Sequence, residues 1–186
     1  MAIKVTYRWT SRLSMRIVKN GDVHVSAPIG LTKKKVLEFI NDHRDWIIEA
    51  RKRTETKVLA RRDFYNQLPL STRQQTAAAK AKLMEIVKPM IAAHAEEMGV
   101  KPEAVTIKKM ISRWGQCDVK NRTICFSVYL LLLPDWCQEH VVVHELCHLL
   151  EPSHNARFYA LMTQYYPRWR EARKHTRAIC DGTQNR

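Results

Sequence analysis

The sequence predicts an α+β fold with a small antiparallel sheet, a helix carrying an active site and a β-hairpin near the N-terminus. Three observations carry that prediction. Alternating apolar residues flank a tight-turn dipeptide early on, and apolar residues at three- and four-residue spacing mark long helices after it. A late helix then holds His144-Glu145-Leu146-Cys147-His148, with His154 six residues further on. The 186 residues, 45% of them hydrophobic, fit a single domain over 1–186. A hairpin and helix occupy about 1–55, and a catalytic core about 73–180.

In the first thirty residues Leu13, Met15 and Ile17 alternate with Ser14, Arg16 and Val18, and Asn20-Gly21 precedes Val23, Val25 and Ala27. Asn-Gly supplies the left-handed backbone of a two-residue hairpin turn, so the strands close there. Arg8, Arg12 and Arg16 line this region, as a solvated face or as a ridge that contacts anions. From Thr32 the period becomes helical through Val36, Phe39, Ile40, His43, Ile47 and Ile48, predicting a capped helix over about 33–54. Lys33 to Lys35 sit in its first turn, where the helix dipole disfavours positive charge. Residues 55–71 show no stable period and read as a linker.

A second long helix is predicted over about 73–98, bent or divided at Pro89, which lacks a donor for the ladder. Gly99 and Pro102 end it. Val105 and Ile107 then read as a strand, Asp118 to Arg122 as a turn, and Thr123 to Val128 as a returning strand. An open edge of this sheet could accept an extended peptide. After Pro134 the chain turns helical to about Leu150, with apolar residues on several sides, so the histidines face a cleft. Asn155 can cap a further helix through Phe158, Leu161, Met162 and Tyr165, covering the histidine helix and fixing His154. A basic helix follows Pro167.

The formal net charge is +14, from 32 Lys and Arg against 18 Asp and Glu. Residues 1–62 hold 15 basic and 6 acidic side chains, so the field is concentrated at one end. It favours an anionic small molecule or peptide substrate and nonspecific contact with nucleic acid through the basic surface. The longest apolar run, Val128 to Leu133, is too short to span a bilayer, which argues against a membrane. An odd count of five cysteines without a leader sequence predicts a reducing cytoplasm.

Histidines four apart share one helix face, and the glutamate after the first can serve a water at the same ion. On an unbroken helix His154 would lie about 120° around the axis from His148. Glu151-Pro152-Ser153 interrupts the helix, so His154 can swing back. Three imidazoles and a water form the open tetrahedral site of a catalytic zinc, with Glu151 as a rival third ligand. Neutral imidazoles leave the charge of Zn2+ uncancelled, so it remains a Lewis acid that acidifies water, and Glu145 takes and returns the proton. Carbonyl and phosphoanhydride substrates both suit that chemistry. Arg113 offers a rigid donor fork for a developing oxyanion, a phosphate or a neighbouring glutamate.

The stretches SRWGQC (112–117), CFSVYLLLLP (125–134), VVVHELCHLL (141–150) and HNARFY (154–159) together resemble the YgjP-like, or DUF45, family of zinc metallohydrolases. The resemblance implies a zincin-like metallopeptidase core related to SprT-type proteins, with His144, His148 and His154 on zinc and Glu145 as base. It points to Arg113 and Trp114 as cleft residues. Some members are described as UTP pyrophosphatases, so conversion of UTP to UMP and diphosphate is the alternative to peptide cleavage, and a basic nucleic-acid-binding module is a third reading. Gln116-Cys117 and Ser127 depart from the family pattern, which bears on substrate placement more than on metal binding. The 55–80 connection also looks short for the extra hairpin of many relatives.

Overall fold

Residues 2–183 are described by a computed structural model, which is mixed α+β with six α-helices and two three-stranded sheets. The chain divides into two compact units, residues 1–62 and 63–186.

In the first unit β1 (Ile3–Arg8), β2 (Ser14–Ile17) and β3 (Val23–Pro28) form a sheet in the order β1-β3-β2. The expected hairpin is present as the antiparallel β2–β3 pair, but its connection is longer than two residues: the Val18 amide donates to the Asp22 carbonyl, leaving Lys19, Asn20 and Gly21 in the loop. Its turn uses Gly21 at φ +81° and the Asn20 side chain, which accepts from the Asp22 amide at 3.1 Å. β1 adds in parallel on the other side of β3, with Ile3, Val5 and Tyr7 beside Val23, Val25 and Ala27. Those three β3 residues pack with Val36 and Ile40 of α1 (Lys33–Asp42) and Ile47 of α2 (Arg44–Asn66) into a core of six buried residues.

Thr32 caps α1 as expected, its hydroxyl accepting from the Lys35 amide at 3.4 Å. The single helix expected over 33–54 is instead two, broken at His43, whose Nδ1 lies 2.8 Å from the Phe39 carbonyl oxygen. The linker expected over 55–71 is helical as far as Asn66. Its Glu, Ala, Arg, Lys and Leu residues are strong helix formers. Val58 and Leu59 are each 42% exposed, so no buried stripe exists for a periodicity argument to find.

In the second unit α3 (Arg73–Glu97) starts at a capping box between Thr72 and Gln75 and runs through Pro89. It buries Leu83, Val87, Ile91 and Ala95 and stops at Gly99, φ +64°. The second sheet contains β4 (Ala104–Lys108), β5 (Gly115–Asp118) and β6 (Thr123–Ser127) in the order β4-β6-β5. It is mixed rather than wholly antiparallel: β5 returns antiparallel to β6, while β4 lies parallel to it. Side-chain alternation identifies a strand but carries no information on the sense of its neighbour.

A short 3-10 helix (Val128–Leu132) leads into α4 (Asp135–Cys147), followed by α5 (Ala156–Tyr165) and the basic α6 (Trp169–Cys180). Buried Cys137, Val141, Val142, Val143, Leu146 and Cys147 make α4 the centre of this unit's core. Among the described residues no helix is long and apolar enough to cross a membrane.

Candidate metal centre

The four-residue spacing on α4 places His144 and His148 on one side, their ring centroids 4.9 Å apart. α4 ends at Cys147, and a tight turn follows in which the amides of Leu149 and Leu150 donate to the carbonyls of Leu146 and Cys147. Asn155 then caps α5, its Oδ1 accepting from the Phe158 amide at 3.0 Å. This interruption turns the chain back, so the His154 ring lies 5.0 Å from His144 and 4.7 Å from His148. Phe158 supports all three rings. Fully buried on the first turns of α5, its ring centroid is 4.9, 4.6 and 4.7 Å from those of His144, His148 and His154.

One ligand nitrogen from each histidine can be chosen so that all lie within 4.8 Å of one another. The Nε2 atoms of His144 and His154 are 3.1 Å apart, against about 3.3 Å for two nitrogens spanning the edge of a tetrahedral zinc site. Nδ1 of His148 is 3.2 Å from the Glu151 carbonyl oxygen. A proton on that Nδ1 donates there and leaves the Nε2 lone pair for an ion, the usual outer support of a metal-binding imidazole. Burial, then the neighbouring positive charges, pushes His144 down to about 3, and burial also lowers His148. Both are therefore neutral ligands at pH 7. Three imidazoles suit a divalent borderline ion such as Zn2+ and leave a coordination position open. Glu151 does not join the set: its carboxylate accepts from the Ser153 amide at 3.2 Å.

Glu145 is 4% exposed, and desolvation pushes its carboxyl up to about 8, with the Arg113 charge opposing. Its position depends on a residue that sequence reasoning left without a role. A Cβ on Gly115, at the start of β5, would fall 2.5 Å from Glu145 Oε1 and 2.6 Å from its Cγ. The strand backbone thus lies directly against the carboxylate, and a glycine is what permits it. Only the close approach reveals this, since Gly115 has an ordinary backbone.

Arg113 is exposed, donates to Gln116 Oε1 at 3.2 Å, and reaches Glu145 through its charge. Trp114 is half-buried and packs against the rings of Phe64 and Tyr65. Ser127, a departure from the family pattern, is fully buried and structural: its hydroxyl donates to the Met110 carbonyl at 2.6 Å and accepts from the Tyr129 amide. Cys117 and Cys147 are free thiols pushed up by burial to about 11 and about 12, unsuited to thiolate chemistry.

On the other flank of the histidines lies a cavity of about 270 Å³ lined by His140, His144, His154, Tyr159, Trp169 and Arg173, among others. His140, one turn before His144, is held down to about 4 by burial and by Arg173. Arg173 is exposed and has no carboxylate partner among the described residues. Neither residue stood out in the sequence.

A family model described as YgjP-like, metallopeptidase domain, matches residues 11–70 and 66–178. No curated protein matches the chain. Among solved structures, the crystal structure of the metallopeptidase zymogen of Pyrococcus abyssi abylysin aligns at a TM-score of 0.45 with 20% sequence identity, over 48% of this chain and 90% of that one.

Proposed function

The chain belongs to the YgjP-like metallopeptidase-domain family, which makes it a metal-dependent hydrolase, and on that premise we propose that it cleaves peptide bonds with Glu145 as general base. His144, His148 and His154 would hold Zn2+. When bound, the ion supplies a Lewis acid that polarises the scissile carbonyl and acidifies the attacking water, and its charge draws Glu145 back to the carboxylate. Glu145 accepts the proton from that water and delivers it to the leaving amine. The Arg113 charge acts on Glu145, and its donor fork would serve a developing oxyanion.

The observation that carries the peptide reading is the contact between Glu145 and Gly115. β5 is an edge strand of its sheet, and it lies against the proposed base. An extended peptide adding to such an edge would pass its carbonyls beside that carboxylate. The five free cysteines support a reducing compartment, and we place the protein in the cytoplasm.

A nucleotide reading draws on a different observation, Arg173 at the cavity beside the histidines, without a carboxylate partner among the described residues. Together with Arg113 it would suit an anionic substrate such as UTP, cleaved to UMP and diphosphate. Zinc-loaded protein incubated with a peptide library and, separately, with UTP distinguishes the two. For peptides, Glu145→Gln is expected to lower turnover by about 10²–10⁴-fold at unchanged zinc stoichiometry, while His144→Ala loses the zinc. Release of UMP and diphosphate that Glu145→Gln abolishes, without peptide cleavage, overturns the peptide reading. Turnover that survives Glu145→Gln overturns the role of the base.

A further inference from the structure

The first sheet has two unlike faces, and the pairing register assigns each side chain to one of them. Ile3, Val5 and Tyr7 share the helix-covered face with the buried Val23, Val25 and Ala27. The opposite face contains a row of Lys4, His24 and Arg16 across β1, β3 and β2, and a second row of Thr6, Ser26 and Ser14 beside it. Arg8 extends β1 on the same face. Lys4, Arg8, Ser14 and Arg16 are exposed, and the middle strand's His24 and Ser26 half-exposed.

A solvated sheet face is ordinarily polar, but it ordinarily mixes signs, because unlike charges across strands attract and like charges repel. Among the paired positions of this face there is no Asp or Glu; the one carboxylate at its border, Asp22 just before β3, is engaged by the Ala2 amide and the Asn20 side chain. Lys4, Arg8 and Arg16 have no carboxylate partner among the described residues. Fixed cations alternating with small hydroxyl donors match phosphate oxygens in charge and in hydrogen-bonding sense. Trp9 follows the last residue of β1, at a bend where strand alternation no longer assigns a face, and is 93% exposed, an indole free to stack on an unpaired base.

We propose that this open face of the β1-β3-β2 sheet, with its Lys4–His24–Arg16 row, its hydroxyl row and the adjoining Trp9, binds the phosphate backbone of a single-stranded nucleic acid. A duplex is less suited: the surface is a three-stranded sheet with no helix on that face to enter a groove. An anionic membrane is also less suited. The exposed aliphatic residues of β1 lie on the other face, so Trp9 alone stands beside the basic rows to enter a bilayer, against the broad apolar face that membrane-surface binding uses.

The test uses the full-length protein and fluorescein-labelled 12-nucleotide single strands of RNA and of DNA, with anisotropy followed against KCl. Lys4→Gln/Arg16→Gln should weaken binding to at least one strand type. Loss of two phosphate contacts should reduce the slope of log K against log salt by about 1.4. Lys82→Gln/Lys88→Gln, an equal charge change at exposed positions on α3, should leave the slope unchanged. Trp9→Ala should weaken binding several-fold with the slope intact, and it stands as the independent variant if the double substitution does not fold.

Equal slopes lost in the α3 control mean generic attraction and overturn the proposal. Absence of binding at low salt does so too. Tighter binding of a 12-base-pair duplex with the same Lys4/Arg16 dependence, or Lys4/Arg16-dependent binding of phosphatidylserine vesicles without oligonucleotide binding, replaces the proposed partner.

Discussion

Both sheets place their last strand in the middle, with the first strand parallel to it and the second antiparallel, so β1-β3-β2 and β4-β6-β5 are one arrangement made twice. Even the turns correspond, with an Asn20–Asp22 bond in one and an Asp118–Asn121 bond in the other. The difference lies in what each sheet meets. The first covers a core of six buried residues and leaves a cationic face to solvent. The second belongs to a much larger core, and its edge strand presses a glycine against a buried glutamate. Topology therefore positions neither site; single residues at equivalent places do, Gly115 beginning β5 where Ser14 begins β2.

The sharpest way to break the comparison is at Phe158, the shared floor of three imidazoles. Phe158→Ala removes a fully buried ring and is expected to cost about 3–5 kcal/mol in urea unfolding of the metal-free protein. Zinc affinity should fall with it, since the three rings lose their common support. Unchanged affinity in a folded variant would show that the helix backbones alone hold the trio.

Acid should act on the second unit through His140. Its ordinary value of 6.5 falls to about 4 in the folded protein, because burial and Arg173 disfavour the imidazolium. Between those values the unfolded chain binds a proton that the folded chain refuses, so stability is complete above pH 6.5 and declines as pH falls towards about 4. The full loss from this one group is roughly 3 kcal/mol. Comparing urea unfolding of metal-free wild type and His140→Gln at pH 7 and pH 4.5 isolates it, since His144 and His148 remain in both. An identical pH dependence in the two proteins would remove His140 from the account.

These two predictions also mark what sequence could and could not reveal. The histidine trio was legible because its information is local: a four-residue helical spacing, a proline that ends the turn, and Asn155 as a cap. Phe158 and Asn155 were readable as an amphipathic, capped helix for the same reason. The support of Phe158 for all three rings was not, because it arises where two helices meet. His140 showed nothing beyond another residue on α4, and Gly115 has no unusual backbone to announce the carboxylate it faces. In the fold, the hairpin around Asn20-Gly21 and the helix start capped by Thr32 were explicit. The parallel partners β1 and β4 and the extension of α2 to Asn66 were not, since partner sense lies outside the strand and an exposed polar helix leaves no stripe.

Gly115→Ala sharpens the contrast between the sheets. The added methyl collides with Glu145, so the strand or the carboxylate must shift, at about 1–3 kcal/mol of stability. Hydrolysis should fall at least tenfold, since small misplacements of a catalytic group are costly, with zinc stoichiometry retained. Ser14→Ala, the matching position in the first sheet, should change stability by under about 0.5 kcal/mol and leave hydrolysis alone. Equal activity losses in the two variants would dissolve the distinction.

The smallest effect concerns the surface of the first unit. α1 begins with Lys33, Lys34 and Lys35 and has no acidic residue in its first turn, so three cations face the positive end of the helix dipole. Lys34→Glu replaces an unfavourable charge with a favourable one and should stabilise α1 by about 0.3–1 kcal/mol at low ionic strength. Hydrogen exchange at the amides of Leu37, Glu38 and Phe39, inside the helix, reports this locally even where the two units unfold separately. Because the position is exposed, the gain should shrink at 1 M KCl, where the screening length is about 3 Å. A gain that persisted in high salt would point to a specific new contact, and a loss would mean that these lysines already have favourable partners.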